Sequence, residues 1–131
     1  MADRPSSNRP GMTLWGVVLG APDPRALSGF YEQLLGWERR SDEPGWVTCQ
    51  PADNSRPGLS FQLETQHVPP VWPAGADEQQ MQIHLDILVD DLDAAGDYAR
   101  SLGAVPADFQ PEEDVRVFFD PVGHPFCLFT N

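Results

Sequence analysis

The side chains with the greatest capacity for chemistry lie in one short apolar segment, His84-Leu-Asp-Ile-Leu-Val. Because side chains alternate between the two faces of a β-strand, His84 and Asp86 share one face. An imidazole can bind a metal ion, or donate a hydrogen bond and carry a proton for an organic ligand. A carboxylate beside it can orient the imidazole or attract a cation. A histidine kept in a pocket without a role, and a solvated aspartate at its mouth, are the alternatives that stay open.

The remaining reactive groups are few. Cys49 and Cys127 both lie in predicted strands, and two cysteines are too few for a disulfide framework, so we expect two reduced, buried thiols. The sequence has no glycine-rich phosphate loop, no Cys-X-X-Cys pair and no Gly-X-Ser-X-Gly turn. These absences argue against nucleotide binding, dithiol redox chemistry and serine hydrolase activity.

The net charge of the chain limits the classes of partner that it is expected to bind. A formal net charge of −12 over 131 residues argues against nucleic acid and anionic membrane surfaces, since both require a basic surface. The same charge would attract a cationic ligand, although it is also typical of soluble acidic proteins. No apolar run reaches the length of a membrane span, and the polar start lacks the apolar centre of a secretory signal. We therefore expect a cytoplasmic protein with residues 1–12 as a flexible arm.

Two similar segments, about 70 residues apart, must position these groups. The first is an apolar strand that ends at Ala21, followed by Asp23-Pro24 as the start of a helix and Gly36 as its end. The second has the strand after His84, a helix capped by Asp90 or Asp91, and Gly103 as its end. Such an internal repeat indicates one supersecondary unit that is used twice.

Short strands are predicted after each helix, which makes each unit βαβββ. They are Trp37–Arg40, Trp46–Gln50 and Leu59–Glu64 in the first unit, and Ala107–Gln110, Val115–Phe119 and Pro125–Phe129 in the second. The sequence therefore predicts one α+β domain over residues 13–131, with module one at about 13–66, a proline-rich crossover at 67–80 and module two at about 81–131. The modules are expected to form a curved, half-barrel-like mixed sheet around a shared cavity.

Aromatic residues could line such a cavity. Trp46 and Phe118 lie on predicted returning strands, and Trp72 lies between prolines in the crossover. An aromatic cavity with few polar groups is typical of sites for small organic ligands. Packing in the core or at a subunit interface is the alternative for each of these residues, and Trp72 is the best candidate for a lid or an interface plug.

Several motifs resemble the vicinal oxygen chelate superfamily, which includes glyoxalase I, bleomycin-resistance proteins and extradiol dioxygenases. The resemblance is carried by Ala21-Pro-Asp-Pro, Leu34-Leu-Gly-Trp, His84-Leu-Asp-Ile-Leu-Val-Asp-Asp-Leu and Asp120-Pro-Val-Gly-His-Pro-Phe-Cys-Leu. It covers about residues 13 to 130, and more narrowly the chain resembles the glyoxalase-like domain proteins that are abundant in actinomycetes. It implies the paired βαβββ fold and a homodimer.

The resemblance also implies a metal site with one ligand from the first strand and one from the last strand of each module. Those positions are Gly16 and Gln62 in module one, and His84 and Cys127 in module two. Glycine offers no donor, and Cys127 stands where glutamate is usual, so the implied set is reduced to His84, Gln62 and Cys127. Such a set would hold zinc, nickel, manganese or iron if a metal is bound at all.

Two functions from different classes follow. The first is a glyoxalase- or bleomycin-resistance-like protein that binds a small, cationic organic ligand in the concave sheet, in a resistance or sequestration role. The second is a metal-dependent lyase, isomerase or dioxygenase with the reduced ligand set. An interaction domain with a vestigial pocket is a third alternative, and whether the protein is an enzyme stays open. For the ligand site we expect His84, Gln62, Asp86, Trp46, Phe118 and Trp72.

Overall fold

The computed structural model describes residues 8–131. Its elements are β1 (Gly16–Ala21), α1 (Pro24–Leu35), β2 (Glu38–Glu43), β3 (Trp46–Gln50), β4 (Gly58–Leu63), β5 (Leu85–Leu88), α2 (Leu92–Ser101), β6 (Val105–Pro106), β7 (Val115–Phe119) and β8 (Pro125–Phe129). The order βαβββ occurs twice, as the repeat predicts. Within the predicted arm, residues 8–12 precede β1 without helix or strand, and residues 1–7 lie outside the described range.

Both helices begin at an aspartate cap. The Asp23 carboxylate accepts a hydrogen bond from the Ala26 backbone N–H at 3.2 Å, and Asp91 accepts one from Ala94 at 3.0 Å. Asp91, and not Asp90, is therefore the cap of α2. The first helix ends at Gly36, whose φ of 68° lies in the left-handed region that glycine adopts without strain. These local signals place each helix directly after its first strand.

The strands form two open four-stranded sheets with the orders β1-β4-β3-β2 and β5-β8-β7-β6. In each sheet the first and last strands of the module are parallel neighbours, and the remaining pairs are antiparallel. The predicted α+β fold with two tandem βαβββ modules is thus confirmed. The parallel pairing matters for function, because it brings residues about 40 positions apart in sequence side by side.

One aromatic core joins the two modules. Tyr31 on α1 stacks on Phe61 of its own module and meets Phe126 of module two at a ring distance of 6.2 Å. Phe126 in turn stacks on Phe118 at 5.7 Å. All four rings are almost fully buried, so the helix-side faces of both sheets share a continuous apolar interior.

The predicted strand Ala107–Gln110 is wrong. The strand in this region is the two-residue β6, and residues 107–110 form a loop. The Gln110 side chain donates to the carbonyls of Ala107 and Val117 and accepts from the Val117 N–H, all at 2.8–2.9 Å. These side-chain hydrogen bonds use backbone groups of Val117 that would otherwise pair with a longer β6, so the strand ends early.

Candidate functional site

The candidate site lies where β5 and β8 run side by side. Asp86 is the register partner of Cys127, and His84 lies two residues before Asp86 on the same face. Ligand atoms of these three side chains all lie within 4.8 Å of one another. The His84 Nε2 and the Asp86 Oδ1 are 3.1 Å apart. The face they share is the one opposite to the helices, because Leu85 and Ile87 pack towards the core.

The Asp86 carboxylate connects the other two groups. It lies within hydrogen-bond distance of His84, and its negative charge acts on the thiol of its register partner Cys127. Burial raises the pKa of Cys127 to about 11, and the negative charges of Asp86 and Glu112 act in the same direction. The thiol is therefore protonated at neutral pH in the protein as described.

A cavity of about 240 Å³ opens above these groups. Glu112, Val115 and Phe129 complete its lining together with the three site residues. Asp86 is 62% and His84 39% exposed at the side chain, so both can meet a ligand without rearrangement. The lining contains two carboxylates and no arginine, which gives the cavity a negative potential.

A second cavity, of about 290 Å³, adjoins the first at Asp86 and lies at the junction of the modules. Asp86 is the one charged residue in its otherwise apolar lining. The other lining residues are Val17, Leu35, Trp37, Pro57, Gly58 and Leu59 from module one and Leu85 and Ile87 from module two. A carboxylate thus stands at the boundary between an acidic and an apolar space.

The same positions in module one carry no comparable donors. Gly16 occupies the place of His84, and the register of β1 with β4 places Ser60 in the place of Cys127. A Cβ on Gly16 would lie 3.6 Å from the Ser60 Oγ, which confirms that the two positions face each other. Ser60 was missed in the sequence, where the family position was assigned to Gln62. Ser60 is found when the two modules are aligned by their repeat and the parallel register of β5 with β8 is applied to β1 and β4.

Gln62 and Trp46 lie on module one, where they are register partners across β3 and β4. Both are exposed, and neither lines the cavity above His84 and Asp86. Gln62 pairs with Gly20, four residues along β1 from Gly16. The two module-one positions that the resemblance assigned to one metal site are therefore separated along the strand by roughly 13 Å.

The other two predicted ligand residues lie in two further places. Phe118 is 2% exposed and stacks on Phe126 in the core, so its ring faces away from the candidate site. Trp72 is half-buried in the crossover, where its ring packs on Phe109 at a centroid distance of 5.7 Å. The structure thus brings His84 and Asp86 together with Cys127, and it distributes Gln62, Trp46, Phe118 and Trp72 elsewhere.

The three clustered side chains fit a divalent metal by type. They offer one imidazole nitrogen, one carboxylate oxygen and one sulfur, and Zn²⁺ accepts all three. Three protein ligands with an open position are the usual arrangement of a catalytic zinc site. Binding would require loss of the thiol proton, since the thiolate is the ligand form of cysteine.

Comparisons with known proteins agree with this architecture. A crystal structure of a glyoxalase/bleomycin resistance protein/dioxygenase family enzyme from Burkholderia phytofirmans PsJN is similar with a TM-score of 0.69 at 17% identity, over 91% of this chain and 98% of that chain. Lactoylglutathione lyase from Agrobacterium tumefaciens is similar with a TM-score of 0.60 at 16% identity, over 94% and 96% of the two chains. Because the sequence identities are this low, these two similarities are evidence for the fold alone. No curated protein sequence matches the chain significantly.

Within residues 8–131, no helix is long and apolar enough to cross a bilayer. The family model of the glyoxalase-like domain matches residues 16–129, which is nearly the whole of both modules. The repeat, the parallel pairing of first and last strands and the structural neighbours all agree with that match. The chain therefore belongs to the glyoxalase-like domain family, within the vicinal oxygen chelate superfamily.

Proposed function

We propose that this protein binds a small organic cation with an apolar body around Asp86, at the junction of the two modules. The observation that carries the proposal is the position of Asp86, which lines both the acidic cavity and the apolar cavity at the module junction. A cationic group would meet Asp86 and Glu112, while the apolar part would enter the space lined by Trp37, Leu59 and Ile87. Burial of that part supplies affinity and the charge supplies orientation.

This arrangement supports a sequestration role, as in resistance proteins. The chain is strongly acidic, so its long-range potential draws cations towards the site. A homodimer would carry this binding site twice. We include both the homodimer and a cytoplasmic location in the proposal. No chemical step is needed for this role.

The experiment is calorimetric titration with three probes that share a phenyl ring but differ in charge: benzyltrimethylammonium, benzyl alcohol and benzoate, followed by a cationic glycopeptide of the bleomycin type. We expect only the cations to bind, and D86N to weaken them about tenfold or more. D108N removes an exposed carboxylate that lies outside both cavities and serves as the matched control. Equal binding by the alcohol, or wild-type affinity in D86N, would rule out the charge-based role.

A second candidate is a metal-dependent enzyme of the same superfamily. It is favoured by the convergence of His84, Asp86 and Cys127 within 4.8 Å. A divalent ion held there would supply Lewis acidity towards a substrate oxygen. In that role His84, Asp86 and Cys127 would hold the ion, and Glu112, which lines the same cavity, is placed to exchange a proton with the substrate.

Elemental analysis decides between the candidates. The protein is measured as purified and after exposure to zinc, nickel, manganese and iron, beside H84A and C127S. Near-stoichiometric metal that disappears in both variants would support the enzyme, and turnover of a carbonyl or catechol substrate would then be sought. Absence of metal under every condition would exclude it and leave the metal-free binding role.

A further inference from the structure

Two of the three histidines of the chain, His67 and His124, lie together outside the candidate site. His67 lies at the start of the crossover and His124 in the turn before β8, yet their ring centroids are 5.0 Å apart. Both rings line a further cavity of about 200 Å³, which we call the crossover cavity. Its remaining walls come from β1, from the crossover and from residues 81–83. The packing of the two modules thus brings together two imidazoles that are far apart in sequence.

Both imidazoles use one nitrogen for the fold and keep the other free. The His67 Nε2 donates to the Val122 carbonyl at 2.8 Å, and the His124 Nε2 donates to the Gly20 carbonyl at 2.7 Å. A carbonyl oxygen can only accept, so each Nε2 carries the proton and each Nδ1 keeps a lone pair. Within residues 8–131, no hydrogen bond uses the Nδ1 of either ring. Each ring therefore has the arrangement of a metal-binding histidine, whose second nitrogen typically donates to a carbonyl or a carboxylate.

The separation of the two rings also fits a shared ion. In a tetrahedral site with metal–nitrogen distances of about 2.0–2.1 Å, two imidazoles have ring centroids about 5 Å apart. The observed distance is 5.0 Å, with the ring planes tilted by 44°. Both residues are half-buried, so water can reach the remaining positions around an ion. The pair therefore meets the distance that two ligands of one ion require.

The lining of the crossover cavity determines which ions it favours. Apart from the two imidazoles it contains no titratable side chain, and its other side-chain donors are three glutamine amides and the Met81 thioether. Neutral nitrogen and sulfur donors favour Zn²⁺ and Cu²⁺, whereas Mg²⁺ and Ca²⁺ prefer carboxylate and water oxygens. No arginine or lysine lines the cavity, so nothing in the lining repels a cation that the net charge of −12 attracts.

We propose that His67 and His124 form a metal site of their own, which binds one Zn²⁺ or Cu²⁺ ion through the two Nδ1 atoms. Met81 and the glutamines of the lining are placed to supply a third ligand. Because His67 follows module one and His124 belongs to module two, the ion would fasten the crossover to the turn before β8. The inference does not rest on the proposed function, since the candidate site uses other residues.

The test uses the H84Q/C127S double variant as its background, in which His67 and His124 are the remaining imidazoles of the chain. Binding of Zn²⁺ is measured by calorimetry, with Mg²⁺ as the comparison ion, and the imidazole nitrogens are followed by ¹H–¹⁵N NMR. H67Q and H124Q each remove one imidazole but keep an amide N–H that can donate to the same carbonyl. Q66A changes an exposed neighbour outside the cavity and is the matched control.

We expect one Zn²⁺ ion per chain, no binding of Mg²⁺, and shifts at both Nδ1 resonances while both Nε2 atoms stay protonated. H67Q and H124Q should each weaken Zn²⁺ binding about tenfold or more, while Q66A should keep it within about twofold. Zn²⁺ should also raise the Tm of the background and of Q66A, but not that of H67Q or H124Q.

Three results would overturn the proposal: no Zn²⁺ binding to the background at about 100 μM, unchanged affinity in a folded H67Q or H124Q, or a shift at only one ring. Zinc that wild type binds and the background loses would support the candidate site and overturn this one. The outcomes for the two sites are therefore distinct.

Discussion

The Tyr31 hydroxyl on α1 donates a 2.7 Å hydrogen bond to the Asp120 carboxylate in the turn between β7 and β8. Both side chains are buried, and the bond joins module one to module two. Asp120 also accepts the backbone N–H groups of Val122 and His124, each at 3.0 Å. A carboxylate with three donors therefore holds the turn that precedes β8, the strand that carries Cys127.

Replacement of this carboxylate by an amide should change the pH dependence of stability. Burial raises the pKa of Asp120 above its ordinary value, even though His124 and the hydrogen bonds oppose the shift. A raised folded-state pKa stabilises the fold fully below the unfolded pKa near 4, and this contribution is lost as pH rises through the folded value. We expect the unfolding free energy of D120N to gain on wild type as pH rises from 4 to 7 in urea denaturation. A constant difference across this range would contradict the raised pKa.

The tyrosine end of the same bond provides a second prediction. Y31F should lose about 1–3 kcal/mol, because it leaves a buried carboxylate without one of its donors. Burial and the Asp120 charge raise the Tyr31 pKa well above 10, so wild type should lose stability above pH 10 and the gap to Y31F should narrow there. Y98F is the matched control, since Tyr98 also bonds across the modules, to the Gln33 carbonyl at 3.0 Å, but is 49% exposed. A larger loss in Y98F would refute this account.

Gly123 in the same turn supports the crossover. Its φ of +97° is unfavourable for other residues, and a Cβ there would lie 2.6 Å from the Pro69 Cβ. We expect G123A to cost about 2–4 kcal/mol and to expose residues 67–80 to limited proteolysis. Gly36 also has positive φ but has no atom within 4 Å of an added Cβ, so G36A isolates the backbone term. Equal losses in the two variants would show that contact with Pro69 contributes nothing.

Gly16 and Gly58 are register partners across β1 and β4, and we expect replacement by alanine to affect stability differently at the two positions. An added Cβ at Gly58 would lie 2.9 Å from the Cys49 carbonyl oxygen, whereas the nearest atom at Gly16 would be 3.4 Å away. We expect G58A to cost about 1–3 kcal/mol and G16A less than about 0.5 kcal/mol in thermal or urea denaturation. A neutral result for G16A would mean that packing tolerates a side chain at position 16, beside Ser60. A large loss would show that packing requires glycine there.

The two candidate functions also predict how metal and cation influence each other. A divalent ion held by His84, Asp86 and Cys127 would neutralise the carboxylate that attracts the organic cation. Saturating zinc should therefore weaken benzyltrimethylammonium binding about tenfold, and removal of zinc with a chelator should restore it. Additive binding of both, measured by calorimetry, would show that they occupy separate sites.

Local signals in the sequence were enough for the helices and most strands. Asp23-Pro24 and Gly36 mark α1 because caps act on their own helix, without help from the tertiary structure. The short β6 could not be predicted in the same way. The strand ends early because the Gln110 side chain hydrogen-bonds to the backbone N–H and carbonyl of Val117, a residue on the next strand.

The sequence by itself determined that His84 and Asp86 share a face, because alternation along a strand is a local property. It also determined the repeat, and with it the paired fold. The family resemblance already placed Cys127 with His84, but only the tertiary structure decided that Asp86 joins them and that Ser60, not Gln62, is the counterpart of Cys127 in module one. The reason is that the register of a parallel strand pair depends on how two distant segments pack, and a shift by two residues keeps the same face while moving a side chain by about 7 Å.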